Sequence, residues 1–228
     1  MQSNHPISRE NAAVTRTPES LLATNKVLRN TYLLLSMTLL FSAATAGVAM
    51  AFGLPHPGLL LTLVGYFGLL FATTRFRDSA LGLVFVFALT GFMGYTLGPI
   101  LNAYLALPNG GELVMTALGM TGFVFVGMSA IALITKKDFS FMGKTLFIGM
   151  LVAFAAGLIA YFFSIPALSL AASAMFVFLA SGIILWQTSA IIHGGETNYI
   201  MATVTLFVSI YNLFLSLLQI LGVMGGDD

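Results

Sequence analysis

The chain has 228 residues, is 58% hydrophobic and only 7% charged, and carries a formal net charge of +1. An ordinary soluble domain is about a quarter charged, so this composition excludes most soluble folds, and the absence of a basic excess excludes a nucleic-acid surface. There is no cysteine, which removes disulfides, thiolate metal sites and thiol nucleophiles.

Residues 1–29 are polar and mixed in charge, contain Pro6 and Pro18, and show no sustained apolar periodicity. They are expected to form a largely disordered tail, and without a short apolar core ahead of a small-residue cleavage site they do not resemble a signal peptide. Beyond them, apolar stretches of roughly 20 residues, each long enough to cross a hydrocarbon core of about 30 Å, follow one another almost to the end. Seven are expected, over 30–53, 58–74, 80–106, 113–134, 144–163, 167–192 and 199–223, leaving a short tail at 224–228. The runs are continuously apolar instead of alternating, which predicts helices and not a barrel. The expected fold class is an all-α integral membrane protein with seven transmembrane helices.

All nine basic residues fall on one side of that arrangement. Arg9, Arg16, Lys26 and Arg29 precede the first span, Arg75 and Arg77 lie between the second and third, and Lys136, Lys137 and Lys144 lie between the fourth and fifth. The positive-inside rule puts that side, and the N-terminus, in the cytoplasm, and Asp227-Asp228 outside. On the other side GLPHPG (Gly53–Gly58), ALPNGG (Ala106–Gly111) and SIPAL (Ser164–Leu168) supply the proline and glycine that reverse a chain.

Within the third span, Gly94-Tyr95-Thr96-Leu97-Gly98 is a small-xxx-small pattern that lets two helix backbones approach. Pro99 directly after it is expected to kink the helix, with Thr96 or a neighbour satisfying the freed carbonyl. Between the sixth and seventh spans lies a polar knot, His193-Gly194-Gly195-Glu196-Thr197-Asn198. Gly194-Gly195 should stop one helix, and Thr197 or Asn198 should cap the next. His193 and Glu196 remain over, and a lone pair of this kind solvates a loop more often than it binds metal.

No Asp, Glu or Lys sits in the middle of a span, so the usual marks of a proton or ion pathway are missing. A retinal-type receptor is excluded as well, because the seventh span has no lysine for a Schiff base. The uncharged polar residues inside are Asn102, Gln187, Ser209, Tyr211, Asn212 and Gln219. Ser209, Asn212 and Gln219 recur at spacings that put them on one face of the seventh helix, where interhelical hydrogen bonding is the expected role. Gly127-Met128-Ser129-Ala130 with His193 as base is not read as an intramembrane protease: the final glycine of a Gly-x-Ser-Gly nucleophile is absent, and the histidine lies beyond its helix. No cofactor, metal centre or enzyme activity is expected.

The segments NKVLRNTYLLLSMTL (Asn25–Leu39), GYTLGPILNAYL (Gly94–Leu105), KKDFSFMG (Lys136–Gly143) and IIHGGETNYIMATVTLFVSIYNLF (Ile191–Phe214) resemble the Bax-inhibitor (TMBIM) family. The resemblance covers the chain from about Leu21 onward. It implies a seven-helix bundle with the last helix central. For a bacterial inner-membrane member it implies association with FtsH, a membrane-anchored ATP-dependent protease, as poor substrate and inhibitor. Other members are pH-sensitive calcium leaks, which use an aspartate in the sixth helix facing one in the seventh and an arginine near the cytoplasmic end of the second. Carried onto this sequence, the arginine falls on Arg75 and the aspartates on Gln187 and Ser209. Neither can hold negative charge, and Arg75 would meet only a neutral amide, so the protease modulator is the expected function and a cation leak the alternative.

Overall fold

The computed structural model describes residues 18–225. They form seven α-helices: α1 (Pro18–Ala51), α2 (Leu59–Arg75), α3 (Ala80–Leu105), α4 (Gly110–Thr135), α5 (Gly143–Phe162), α6 (Pro166–Ile192) and α7 (Tyr199–Met224). A single 3-10 turn, Ser140–Met142, leads into α5, and there is no strand among the described residues.

Six helices are long and apolar enough to cross a membrane; α2, apolar but only 17 residues long, falls short of that length. At 1.5 Å per residue it spans about 25 Å. Helix ends agree with the expected spans to within three residues, except at the start of α1. The expectation of a disordered tail to residue 29 fails from Pro18 onward, where the chain is already helical. Proline suits a first helical turn, and no further proline and no glycine interrupts the run before Gly47. Polarity removed those residues from the hydrocarbon span without removing them from the helix. The rest of the expected tail, residues 1–17, and the end of the chain from residue 226 lie outside the described residues.

The tightest approach is between α1 and α3. A methyl built on Gly94 would run into the Ser42 carbonyl and the Thr45 hydroxyl, and one on Gly98 would come 2.6 Å from Ala49 Cβ and 2.9 Å from Ala46 O. The small-residue pattern therefore does what its spacing suggests, with Ser42, Thr45, Ala46 and Ala49 as the complementary stripe on α1. Helix α3 continues through Pro99. The Thr96 hydroxyl does not serve the carbonyl that Pro99 frees; it donates to Met93 O at 2.8 Å and pairs with the Tyr211 hydroxyl at 3.1 Å.

Helix α7 packs against α1, α3, α4 and α6, and places Leu206, Phe207, Leu213 and Leu218 in the core with almost no exposure. Its C-terminal half is fixed to α6 by Gln219, which accepts from Ser173 Oγ at 2.7 Å and donates to Ser169 Oγ at 2.6 Å. Helix α2 packs chiefly on α3, and α5 on α6. These two outer helices meet edge to face through Phe67 and Phe154, whose ring centres are 6.0 Å apart.

Candidate functional site

The polar knot is assembled from backbone geometry first. His193 ends α6, Gly194 takes φ +76°, and the Gly195 amide returns to Ala190 O at 2.8 Å while the Gly194 amide returns to Ile191 O at 3.2 Å. This is a Schellman motif, which uses glycine at the left-handed position to satisfy carbonyls that a helix end leaves free. Four residues later Asn198 caps α7: its Oδ1 accepts from the amides of Ile200 and Met201, both at 3.0 Å. Of the two candidates for that cap, Asn198 is the one used.

The Asn198 side chain also donates, to Arg77 O at 3.1 Å and to Asp78 Oδ1 at 2.8 Å, so the α6–α7 turn is fastened to the α2–α3 turn. Glu196 Oε1 accepts from the Asn198 amide at 2.8 Å, which holds the capping residue in place. On the other flank Ser189 Oγ accepts from the Phe139 amide at 3.0 Å and donates to Lys137 O at 3.1 Å. His193 completes the arrangement, with Nδ1 2.9 Å from Ser189 O and Nε2 3.1 Å from Lys136 O. Three turns thus form one platform at the end of the bundle that carries Arg75, Arg77, Lys136 and Lys137. Glu196 and His193 share it without touching each other through a hydrogen bond, and among the described residues no group of three His, Asp or Glu side chains gathers to hold a metal.

Both carbonyls facing His193 are acceptors, so both contacts are hydrogen bonds only when both ring nitrogens carry protons. A neutral ring gives up one of them, or turns Nδ1 into an acceptor for the Ser189 hydroxyl 3.3 Å away. Beside it, Asp138 accepts from the hydroxyl and the amide of Ser140, and these bonds, with a smaller contribution from His193, hold its carboxyl below the usual range. Ionised Asp138 contributes above the usual carboxylate range and less as pH falls through its lowered value. A spin label introduced with Phe141→Cys, in a chain with no other cysteine, should become more mobile when His193→Ala removes the contact to Lys136 O. Unchanged mobility would show that His193 does not hold the α4–α5 turn against α6.

The other singled-out residues lie deeper. Gln187 is 1% exposed and its Nε2 has no hydrogen-bond partner among the described residues. Arg75 is exposed, its guanidinium 5.8 Å from the Phe76 ring centre, and no hydrogen bond joins it to Gln187 among the described residues. Ser209 is buried and donates to Thr205 O of its own helix at 2.8 Å. The seventh-helix stripe divides: Gln219 binds α6, whereas Asn212 and Ser209 line a cavity. Ser129 Oγ is buried without a hydrogen-bond partner among the described residues, and both nitrogens of His193 face carbonyls, so Ser129 and His193 are not paired.

Sequence reasoning missed the outward half of Asn198 and all of Ser189. The first could have been suspected from an amide that has two donors left after capping; the second carried no signal beyond its place one turn before His193.

A continuously apolar helical bundle with a capped HGGETN turn defines the class. The family model described as inhibitor of apoptosis-promoting Bax1 matches residues 24–226, and the chain belongs to that family. It is 53% identical over 208 residues to the modulator of FtsH protease YccA of Escherichia coli K12, covering 91% of this chain and 94% of that protein. An uncharacterized protein of Pseudomonas aeruginosa is 58% identical over 202 residues, 89% of this chain and 91% of its own length. An uncharacterized membrane protein of Vibrio cholerae is 46% identical over 226 residues, covering 99% of this chain and all of that one.

Proposed function

We propose that this protein is an inner-membrane modulator of the FtsH protease, acting as inhibitor and poor substrate. The observation that carries the reading is 53% identity, over nearly the full length of both chains, to a protein named for that role. In this reading all seven helices cross the bilayer, the platform and its basic residues face the cytoplasm, and the chain ends in the periplasm. The one-sided placement of the nine basic residues supports that sidedness. Helix α2 crosses at its short length because a bilayer thins locally, at a cost of fractions of a kcal/mol per Å. Residues 1–17 are the cytoplasmic segment by which a pulling protease grips the chain, and the close-packed α1–α3 pair is what resists extraction.

The alternative, a pH-sensitive calcium leak, lacks its paired carboxylates: Gln187 and Ser209 are neutral, and Arg75 faces outward. Affinity capture of the tagged chain from native membranes should bring FtsH with it, and deletion of residues 1–17 should slow its turnover in a pulse-chase. A reporter active only outside the cytoplasm should work when fused after Asp228. Capture without FtsH would overturn the modulator reading.

A further inference from the structure

Helix α7 is walled by four helices, and its remaining side looks out through a gap between α2 and α5. The gap is a cavity of about 420 Å³, floored by Thr205, Ser209, Tyr211 and Asn212 of α7 and walled by apolar side chains such as Leu63, Met150 and Phe176. Asn212 stands 13 residues into a 26-residue helix, so the floor lies half-way along the bundle, at the level of lipid tails.

Polar residues at that depth normally join helices, and Gln219 does so with two hydrogen bonds to α6. Asn212 does not: it and Tyr66 both line the cavity, and no hydrogen bond joins either side chain to another described residue. They are hydrogen-bond donors kept beside an apolar space. No Asp, Glu, Lys, Arg or His lines it, so a charged guest would have no counter-charge to offset its burial. Water can be held only along the polar floor, because the apolar walls of α5 and α6 offer the rest of the cavity no polar partner. A hydrocarbon tail suits those walls, and a carbonyl oxygen suits the two donors.

We propose that the α2–α5 cavity is a binding site for an uncharged membrane lipid whose polar group is a carbonyl, with its tail between α2 and α5 and its oxygen at Asn212 and Tyr66. Phe67 and Phe154, in edge-to-face contact between the same two helices, then part to admit it.

The single tryptophan, Trp186, belongs to the same apolar cluster as Met150, Phe176 and Ile183, all of which line the cavity, and quinone rings quench indole fluorescence at short range. The probe is therefore a benzoquinone with a decyl tail, titrated against the full-length protein in lipid nanodiscs. Quenching should saturate, and decylbenzene, which has the tail without the carbonyl, should compete poorly. Asn212→Leu keeps volume and removes the donor, and should weaken the half-saturating concentration by about tenfold, the effect of one good hydrogen bond. Val208→Phe and, from the facing helix, Thr62→Phe should each fill the space and abolish saturation, so one misfolded variant leaves the other to decide. Quenching that rises linearly with probe and is equal in all four proteins would overturn the site. Saturation unaffected by Asn212→Leu, or equal competition by decylbenzene, would overturn the carbonyl assignment.

Discussion

Gly94→Val is expected to leave little folded protein in the membrane. Even one added carbon at that position meets the Ser42 carbonyl and the Thr45 hydroxyl, and the first of these is backbone that cannot swing aside. Relief requires α1 and α3 to separate along their shared length, which also loosens Gly98 from Ala46 and Ala49. Overpacking typically costs about 1–3 kcal/mol, a range that suits Gly94→Ala; the branched valine should exceed about 3 kcal/mol. Gly47→Ala is the matched control, because a methyl there meets nothing within 4 Å and glycine to alanine in an open helix position favours the helix by about 0.5–1 kcal/mol. Unfolding in mixed micelles with increasing SDS should shift the two alanine variants in opposite directions. Equal stability of Gly94→Ala and the parent would mean that α1 and α3 do not touch backbone to backbone.

The second large effect is expected at Asn198, whose side chain makes four hydrogen bonds, two as cap and two across to the α2–α3 turn. Asn198→Ala loses all of them; a lost cap costs about 0.5–2 kcal/mol, and the cross-ties about 0.5–1.5 kcal/mol each before solvent replaces them. Roughly 2–3 kcal/mol in total is expected. Asn198→Asp separates the two roles. It keeps the cap, and its charge suits the helix N-terminus, but it cannot donate and it sets a second carboxylate against Asp78. The aspartate variant should therefore retain α7 while freeing the Arg77–Asp78 turn, read as faster hydrogen exchange confined to that turn. Exchange that is uniform in both variants would show that Asn198 caps and does nothing else.

The helices were legible because continuous apolar runs end at glycine and proline, and the α1–α3 contact was legible because Gly94 and Gly98 are spaced for it. What each helix faces was not. In a bilayer the buried side and the lipid side are both apolar, so the contrast that marks an amphipathic soluble helix is absent. Helix α2 shows the difficulty: its one fully buried residue is Thr73, while Leu60, Leu61 and Phe71 are exposed. The gap beside α7 was hidden for the same reason, since nothing in Asn212 distinguishes it from Gln219 except the absence of serines opposite it. The ties from Asn198 to Arg77 and Asp78 were hidden for another, a sequence separation of about 120 residues that no local pattern spans. The helical start at Pro18 was missed because hydropathy reports where lipid ends, and a helix can run on into water.

The α1–α3 contact also sets a clock for biosynthesis. The stripe on α1 ends at Ala49, and its partner Gly94 is made 45 residues later, with α2, which packs chiefly on α3, in between. At about 5–20 residues per second, α1 waits roughly 2–10 s in the bilayer with its closest neighbour not yet made. During that interval the Thr45 hydroxyl and the carbonyls of Ser42 and Ala46 lie open to any helix with small residues of its own. A slow ribosome over residues 52–98 would lengthen that exposure and a fast one would shorten it. Codon choice in that stretch thus bears on how often the nascent chain pairs with the wrong helix.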